Sequence, residues 1–455
     1  MPAAARFALL KRILGVLALG FLAIQFVRPN LNNRPATAEI QVPDDVKQIL
    51  KHACYDCHSN ESKLAWFDLP APINWLVVHD IREARKHINF SEIGKLPIGQ
   101  QRAALYEGLF QIQQGAMPLP SYRRLHSGTA ITDEQIAILK KFLAQPQETP
   151  PTNAVEIAAA DSEFQRWAPS GNGLAKNVQP EPNGISFFPD YKNWIPIGST
   201  DRFDNQTIRQ ILGNEVAVKA ISNHQTNPWP DGSAFAKVAW KQQVDTNGRI
   251  RPGAFYQVEF MFRDSKNRST TLGWAWSRWR GADLNPYGKD AHFDQECVGC
   301  HRPLKKSDYV FTDPLPSSPI VGDPRSLPGD LPANPASWKV ITSEIDRARG
   351  TMSTLYGNDA AVNYARSLSQ QDYPVGSVLA LVTWTQKPDE RWFGANIPSA
   401  AKSVEFVFTE SAGGRPWFTY ERYEGLPLKK VVSPEPTASS ARISYLLSRH
   451  AAVLP

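Results

Sequence analysis

The chain has 455 residues, 42% hydrophobic and 21% charged, with 13 tryptophans and 37 prolines. At about 150 residues per domain this suggests three units joined by proline-rich connections. The net charge of +6 is spread over interleaved acids and bases, so no basic stripe marks a nucleic-acid partner.

At the N-terminus, Arg6, Lys11 and Arg12 precede the apolar run Ile13 to Val27. Charge followed by an apolar core reads as an export segment over residues 1–38. Two versions compete. One is a retained inner-membrane anchor, if "FALL" extends the run to about 20 residues and Lys11 and Arg12 snorkel. The other is a signal cleaved near Ala36 to Ala38. The anchor is the preferred version, and either one delivers the remaining chain to the bacterial periplasm.

Residues 39–147 carry helical periodicity. "VPDDVKQILKHACYDCHSNES" places Val46, Ile49 and Leu50 at helical spacing, and "TDEQIAILKKFLAQ" starts at a threonine cap. All four cysteines of the chain fall in "CYDCH" (Cys54, Cys57, His58) and "CVGCH" (Cys297, Cys300, His301). In an exported protein, C-x-x-C-H is the spacing at which two thiols add to haem vinyl groups and the adjacent histidine ligates the iron. A pair of disulfides or one zinc site built from both halves are the competing readings. The motifs predict a dihaem c-type cytochrome. Met117, in the loop "GAMPLPSY", is the candidate sixth ligand of the first haem, with His79 and His87 as rivals, while His52 lies too close to the attachment motif to fold back.

"CYDCHSNES", "APINWLVVHDIREARKHINFSE" and "GAMPLPSY" resemble the bacterial haem-binding c-type domain. The resemblance implies one covalent haem in a small all-helical domain with an electron-transfer or redox-sensing role.

Residues 148–184 read as a linker with one short helix around "AADSEFQRW". Beyond it, "SAFAKVAWKQQ", "GAFYQVEFMFRD" and "TLGWAWSRWRG" are strand-like and aromatic. Alternation puts Phe235, Lys237, Ala239 and Lys241 on one face, and Gln257, Glu259, Met261 and Arg263 on one face of the next strand. From strand pattern alone these are ordinary solvated faces.

"FFPDYKNWIPIGS", "NPWPDGSAFAKVAWK", "VEFMFRDSKN", "GWAWSRW" and "CVGCHRPLKKSDYVFT" resemble the cytochrome P460 family across residues 185–315, in a domain drawn as 185–320. The resemblance implies that Lys237 is cross-linked to the haem edge, that Glu259 is the distal carboxylate and general base, and that His301 leaves one iron face open. It further implies hydroxylamine or nitric oxide as the small ligand and a periplasmic electron-transfer partner.

The last third repeats the pattern, with Trp194, Gly213, Gly232 and Trp240 matched by Trp338, Gly357, Gly376 and Trp384. In this copy, residues 331–455, Lys237 becomes Leu381, no C-x-x-C-H follows His301, and Glu405 still matches Glu259. The expected fold is an all-α haem domain followed by two tandem β-dominated α+β domains, the second without haem. The resemblance implies an oxidase that turns over hydroxylamine or nitric oxide at the second haem and passes electrons through the first; the alternatives are a gas-binding cytochrome and a plain dihaem electron carrier.

Overall fold

The computed structural model describes residues 3–144, 151–170, 177–315, 327–367, 369, 372–412, 415–431 and 436–455. The chain forms two compact units, Met1–Gln145 and Pro146–Pro455. The expected domain end at residue 147 lies outside the described residues.

The first unit is helical: α1 (Ala3–Ile24), α2 (Asp44–Ala53), α3 (Tyr55–His58), α4 (Ile73–His87), α5 (Ile98–Gln113), α6 (Pro120–Leu125) and α7 (Asp133–Leu143). Asp44 and Asp45 open α2 where the helix dipole favours acids, and the helix buries Val46, Ile49 and Leu50. At α7 the Thr132 hydroxyl accepts from the Gln135 amide while the Gln135 side chain accepts from the Thr132 amide, a capping box that fixes the helix start. The core joins these helices through Ile49, Val78, Ile81, Leu109, Phe110 and Leu139.

Among the described residues no helix is long and apolar enough to cross a membrane, which corrects the expected inner-membrane anchor. In α1 the basic residues occupy the first half, so the uncharged stretch is only Ile13–Ile24. At 1.5 Å per residue that covers about 18 Å, against a hydrocarbon core of about 30 Å. Downstream of α1 the chain laces across α4. Gln25 donates to the Ala71 carbonyl and accepts from its amide, and Arg85 bridges Leu31, Asn33, Ser59 and Ser62. Cleavage near Ala38 would remove two of the four Arg85 partners, Leu31 and Asn33, and leave those in the loop after "CYDCH", Ser59 and Ser62.

The second unit opens with α8 (Ala154–Trp167) and then builds an antiparallel sheet. Its first repeat holds β1 (Ile195–Arg202), β2 (Thr207–Gly213), α9 (Glu215–Ser222), β3 (Ala234–Val244), β4 (Ile250–Arg263), β5 (Trp274–Arg280), β6 (Asn285–Pro286) and α10 (Asp294–His301). Its second holds β7 (Lys339–Asp346), β8 (Thr351–Gly357), α11 (Asp359–Ala365), β9 (Val378–Pro388), β10 (Ala395–Ala412), β11 (Arg415–Glu424), β12 (Lys429–Lys430) and α12 (Pro436–Leu447). The repeats agree in detail. Asn214 caps α9 and donates to the Gly232 carbonyl, Asn358 caps α11 and donates to that of Gly376, and both glycines sit at φ +87°, a left-handed turn that side chains disfavour.

Strand order runs β1-β2-β3-β4-β7-β8-β9-β10, and β10 pairs back with β1. Eight strands thus close into a ring, with β5 and β6 hanging from β4, and β11 and β12 from β10. One seam pairs Ile250 with Ile345, the other Asn396 with Asp201. Under the repeat, Asp201 corresponds to Ile345 and Ile250 to Asn396, so the same seam is made twice about an approximate two-fold axis. Polar clamps hold the seams. Asp201, fully buried, accepts from Arg347 at 2.7 and 2.9 Å and from Gln242 at 2.8 Å. Asp204 accepts from Trp392 Nε1 at 2.8 Å, and Arg202 lies 4.2 Å from the Trp392 ring.

The segment expected to be a linker is instead part of this fold. Glu163 on α8 accepts from the Phe255 amide at 2.7 Å, and Trp167 enters the core and donates to the Ala282 carbonyl. Glu181, only 1% exposed, accepts from the amides of Arg278, Tyr287 and Gly288. A carboxylate satisfied by three backbone donors pins the β5–β6 turn. The C-terminal tail returns as well: Trp240 Nε1 donates to the Val453 carbonyl at 2.8 Å, and Val453 and Leu454 join the core of the first repeat.

Removing the Arg347 partner strands a buried charge, which costs about 3 kcal/mol or more. Arg347→Met is expected to lower the unfolding free energy of the β unit by that amount, and with it the urea midpoint, while the helical unit is unchanged, and Asp201→Asn in the same chain is expected to recover part of the loss. Tryptophan fluorescence in urea measures both.

Candidate functional site

Helix α10 carries Cys297, Cys300 and His301, while Cys57 and His58 lie on α3 with Cys54 as its N-terminal flanking residue. No disulfide joins the four cysteines. Among the described residues no group of three or more His, Cys, Asp or Glu side chains is arranged to hold a metal ion. The two histidines share one arrangement. His58 Nδ1 faces the Ile88 carbonyl at 3.1 Å, and His301 Nδ1 faces that of Tyr309 at 2.7 Å. A backbone carbonyl on Nδ1 fixes the tautomer and frees Nε2 for a metal. Burial pushes both imidazoles toward the neutral form, His301 down to about 4.

Around His301 the wall is aromatic. Trp276 lies 4.4 Å and Phe311 4.8 Å from its ring, and Phe235, Met261, Trp274, Val298 and Val310 pack in the same cluster as Cys297. Met261 therefore belongs to the wall.

Onto this wall the sheet projects a row of charged groups. The register aligns Ile211, Lys237, Glu259 and Arg278 across β2, β3, β4 and β5, and Arg209, Ala239, Gln257 and Arg280 in the next row. Lys237 forms an ion pair with Glu259, whose carboxylate also faces Arg278 Nε at 2.8 Å and accepts from Gln257 Nε2 at 2.6 Å. The expected solvated face is thus overturned: Phe235 is 4%, Ala239 0% and Gln257 5% exposed. Burial pushes the Lys237 ammonium down despite Glu259, with Arg209 adding to the effect. Burial alone would raise Glu259, but Lys237, Arg278 and Arg209 together hold it well below the usual carboxylate range. An ammonium in an apolar strand is tolerated here because it is paired.

Sequence reasoning missed three contributors. Arg278 shares the alternation of Trp276 in β5, and that period-two pattern was the available signal. Arg209, 9% exposed on β2, and Glu181, upstream of the sheet, gave none.

In the second repeat, Leu381 stands opposite Glu405 in the register that pairs Lys237 with Glu259. Glu405, 3% exposed, instead accepts from Arg442 of α12 at 2.5 and 2.8 Å and from the Tyr420 hydroxyl at 2.7 Å. The retained carboxylate has a different cation, supplied by the C-terminal helix.

In the helical unit, Met117 follows α5 and is half-buried, with its amide on the Gln111 carbonyl. The next helix, α6, carries Tyr122, whose hydroxyl donates to Asp56 inside "CYDCH" at 2.9 Å. The rivals His79 and His87 are exposed, as is His52. His126, which sequence reasoning did not weigh, contacts Asp68 at 2.9 Å and stacks on Tyr122 at 3.8 Å.

Both motifs fit haem in their donor sets: two thiols close together, an imidazole with Nδ1 already engaged and, in the β unit, an aromatic wall. A haem-binding domain family matches residues 19–145. The Cytochrome P460 family matches residues 188–312 and again 332–435, together just over half of the chain and in step with the internal repeat. No curated protein sequence matches the chain. The chain belongs to the cytochrome P460 family, as two tandem P460 copies behind an N-terminal haem-binding domain.

Proposed function

We propose that the chain is a dihaem c-type cytochrome that oxidises hydroxylamine or nitric oxide in its first P460 copy. One haem would be held by Cys54, Cys57, His58 and Met117, the other by Cys297, Cys300 and His301. The observation that carries the reading is the direct Lys237–Glu259 pair on the wall that holds His301 and Cys297, together with the replacement of that lysine by Leu381 in the copy that has no attachment motif.

When bound, haem supplies the redox centre. The chain supplies the rest. Trp276 and Phe311 hold the His301 ring, and the Tyr309 carbonyl sets its tautomer. Burial favours the neutral amine of Lys237, the form able to bond to carbon. Glu259, fixed by Arg278 and Gln257, would accept the protons that nitrogen oxidation releases once Lys237 is bonded to the haem and its ammonium no longer holds the carboxylate's basicity down. Electrons leave through the N-terminal haem domain to a one-electron acceptor.

The ion pair also favours a second reading, a gas-binding cytochrome without turnover, because a lysine held by a carboxylate remains an ordinary side chain.

Mass spectrometry of proteolysed protein from a host that attaches c-type haem decides between them. The expected result is Lys237 joined through haem to the Cys297/Cys300 peptide, with a red-shifted ferrous band. A free Lys237 beside two ordinary haem peptides would overturn the oxidase.

Lys237→Leu installs the residue of the second copy. Haem attachment is expected to survive, the ferrous band to return to an ordinary c-type position, and hydroxylamine turnover to be lost. Glu259→Gln keeps the shape and removes the proton acceptor, so kcat is expected to fall about 100-fold or more with the haem spectrum retained. Unchanged turnover would leave Glu259 a purely structural partner of Lys237.

A further inference from the structure

The second repeat contains a cavity of about 310 Å³ that the haem chemistry does not use. Its apolar side is formed by Leu355, Leu381, Leu446 and Phe164. Leu355 and Leu381 pair across β8 and β9 as Ile211 and Lys237 pair across β2 and β3. The cavity therefore stands over the counterpart of the haem face, now covered by the C-terminal segment and α8. Its volume lies at the lower end of small-molecule sites, about 300–1,000 Å³.

The polar side carries Arg251, Arg449, Glu344, Asp161 and His450, and its acids are unevenly shared. Glu344 is engaged by the Tyr445 hydroxyl, by Arg251 Nε at 3.4 Å and by Arg249 at 3.7 Å. Arg251 also meets Asp245 at 3.2 Å. Arg449, half-buried, has its Nε on the Tyr445 carbonyl and its guanidinium 4.3 Å from the Tyr445 ring. Among the described residues no salt bridge reaches Arg449. Asp161 and His450, both exposed, complete the charged rim. Burial and the neighbouring Arg251 push the Arg449 guanidinium down, as expected of a cation short of an anion.

We propose that this cavity is a binding site for a small amphipathic carboxylate, its charged end on the Arg449 guanidinium beside Arg251 and its apolar body against Leu355, Leu381 and Leu446. A planar guanidinium matches a carboxylate in two parallel hydrogen bonds, and an apolar floor selects a ligand with a hydrocarbon tail.

The test titrates octanoate and 1-octanol into full-length, haem-loaded protein by calorimetry while the Soret band is followed. Octanoate is expected to bind saturably with one site and no Soret shift, and octanol about tenfold more weakly for lack of the charge-assisted contact. Arg449→Gln is expected to weaken octanoate about tenfold and leave octanol unchanged, while Leu381→Trp, which fills the floor, removes both. Absence of saturable binding, equal affinities, a Soret shift that places octanoate on the iron, or indifference to both substitutions would each overturn the site. The comparison of acid with alcohol needs no variant and decides alone if a substitution impairs folding.

Discussion

Ring closure is the constraint on which the β unit depends. Each P460 repeat contributes four strands to an open half-sheet whose outer strands, β1 and β4 in one copy and β7 and β10 in the other, would leave backbone donors and acceptors unpaired. Two-fold repetition solves the problem by making each half the partner of the other, with no separate subunit. Because the seams involve few residue pairs, side chains reinforce them: Asp201 of the β1–β10 pair is buried against Arg347 just beyond β7, and Asp204 after β1 meets Trp392 just before β10. The second copy, which lacks the attachment motif, completes the sheet on which the first copy builds its candidate site.

A second rule operates within each repeat. The fourth strand carries a buried carboxylate, Glu259 or Glu405, and a carboxylate in such a place needs a cation. The first copy answers with Lys237 and Arg278 from adjacent strands, the second with Arg442 from a helix. The structural demand is common to both copies. What distinguishes the first is that its cation is an amine facing the wall of His301.

Much of the chemistry was readable because it is local. C-x-x-C-H spacing needs no tertiary information, and the period-two alternation that set Lys237 and Glu259 on facing sides of their strands survived folding as a directly paired register. The repeat was visible because identical turn chemistry, Asn before a helix and Gly at a left-handed turn, recurs in sequence. Non-local partners were not readable. Arg278 joins Glu259 through the pairing of β4 with β5, and Glu181 and α8 resemble linker because their buried faces are short and their partners lie about a hundred residues away. The membrane reading erred differently, by extending an apolar run across Lys11 and Arg12.

The tail that returns to the first repeat has a consequence for the order of events during synthesis. Trp240 completes its hydrogen bond with a carbonyl 213 positions downstream. At about 5–20 residues per second the ribosome takes roughly ten to forty seconds to cover that distance. Cys297 and Cys300 therefore emerge while the core behind them still lacks Val453 and Leu454. The thiols of "CVGCH" are thus made before the residues that complete the core behind them.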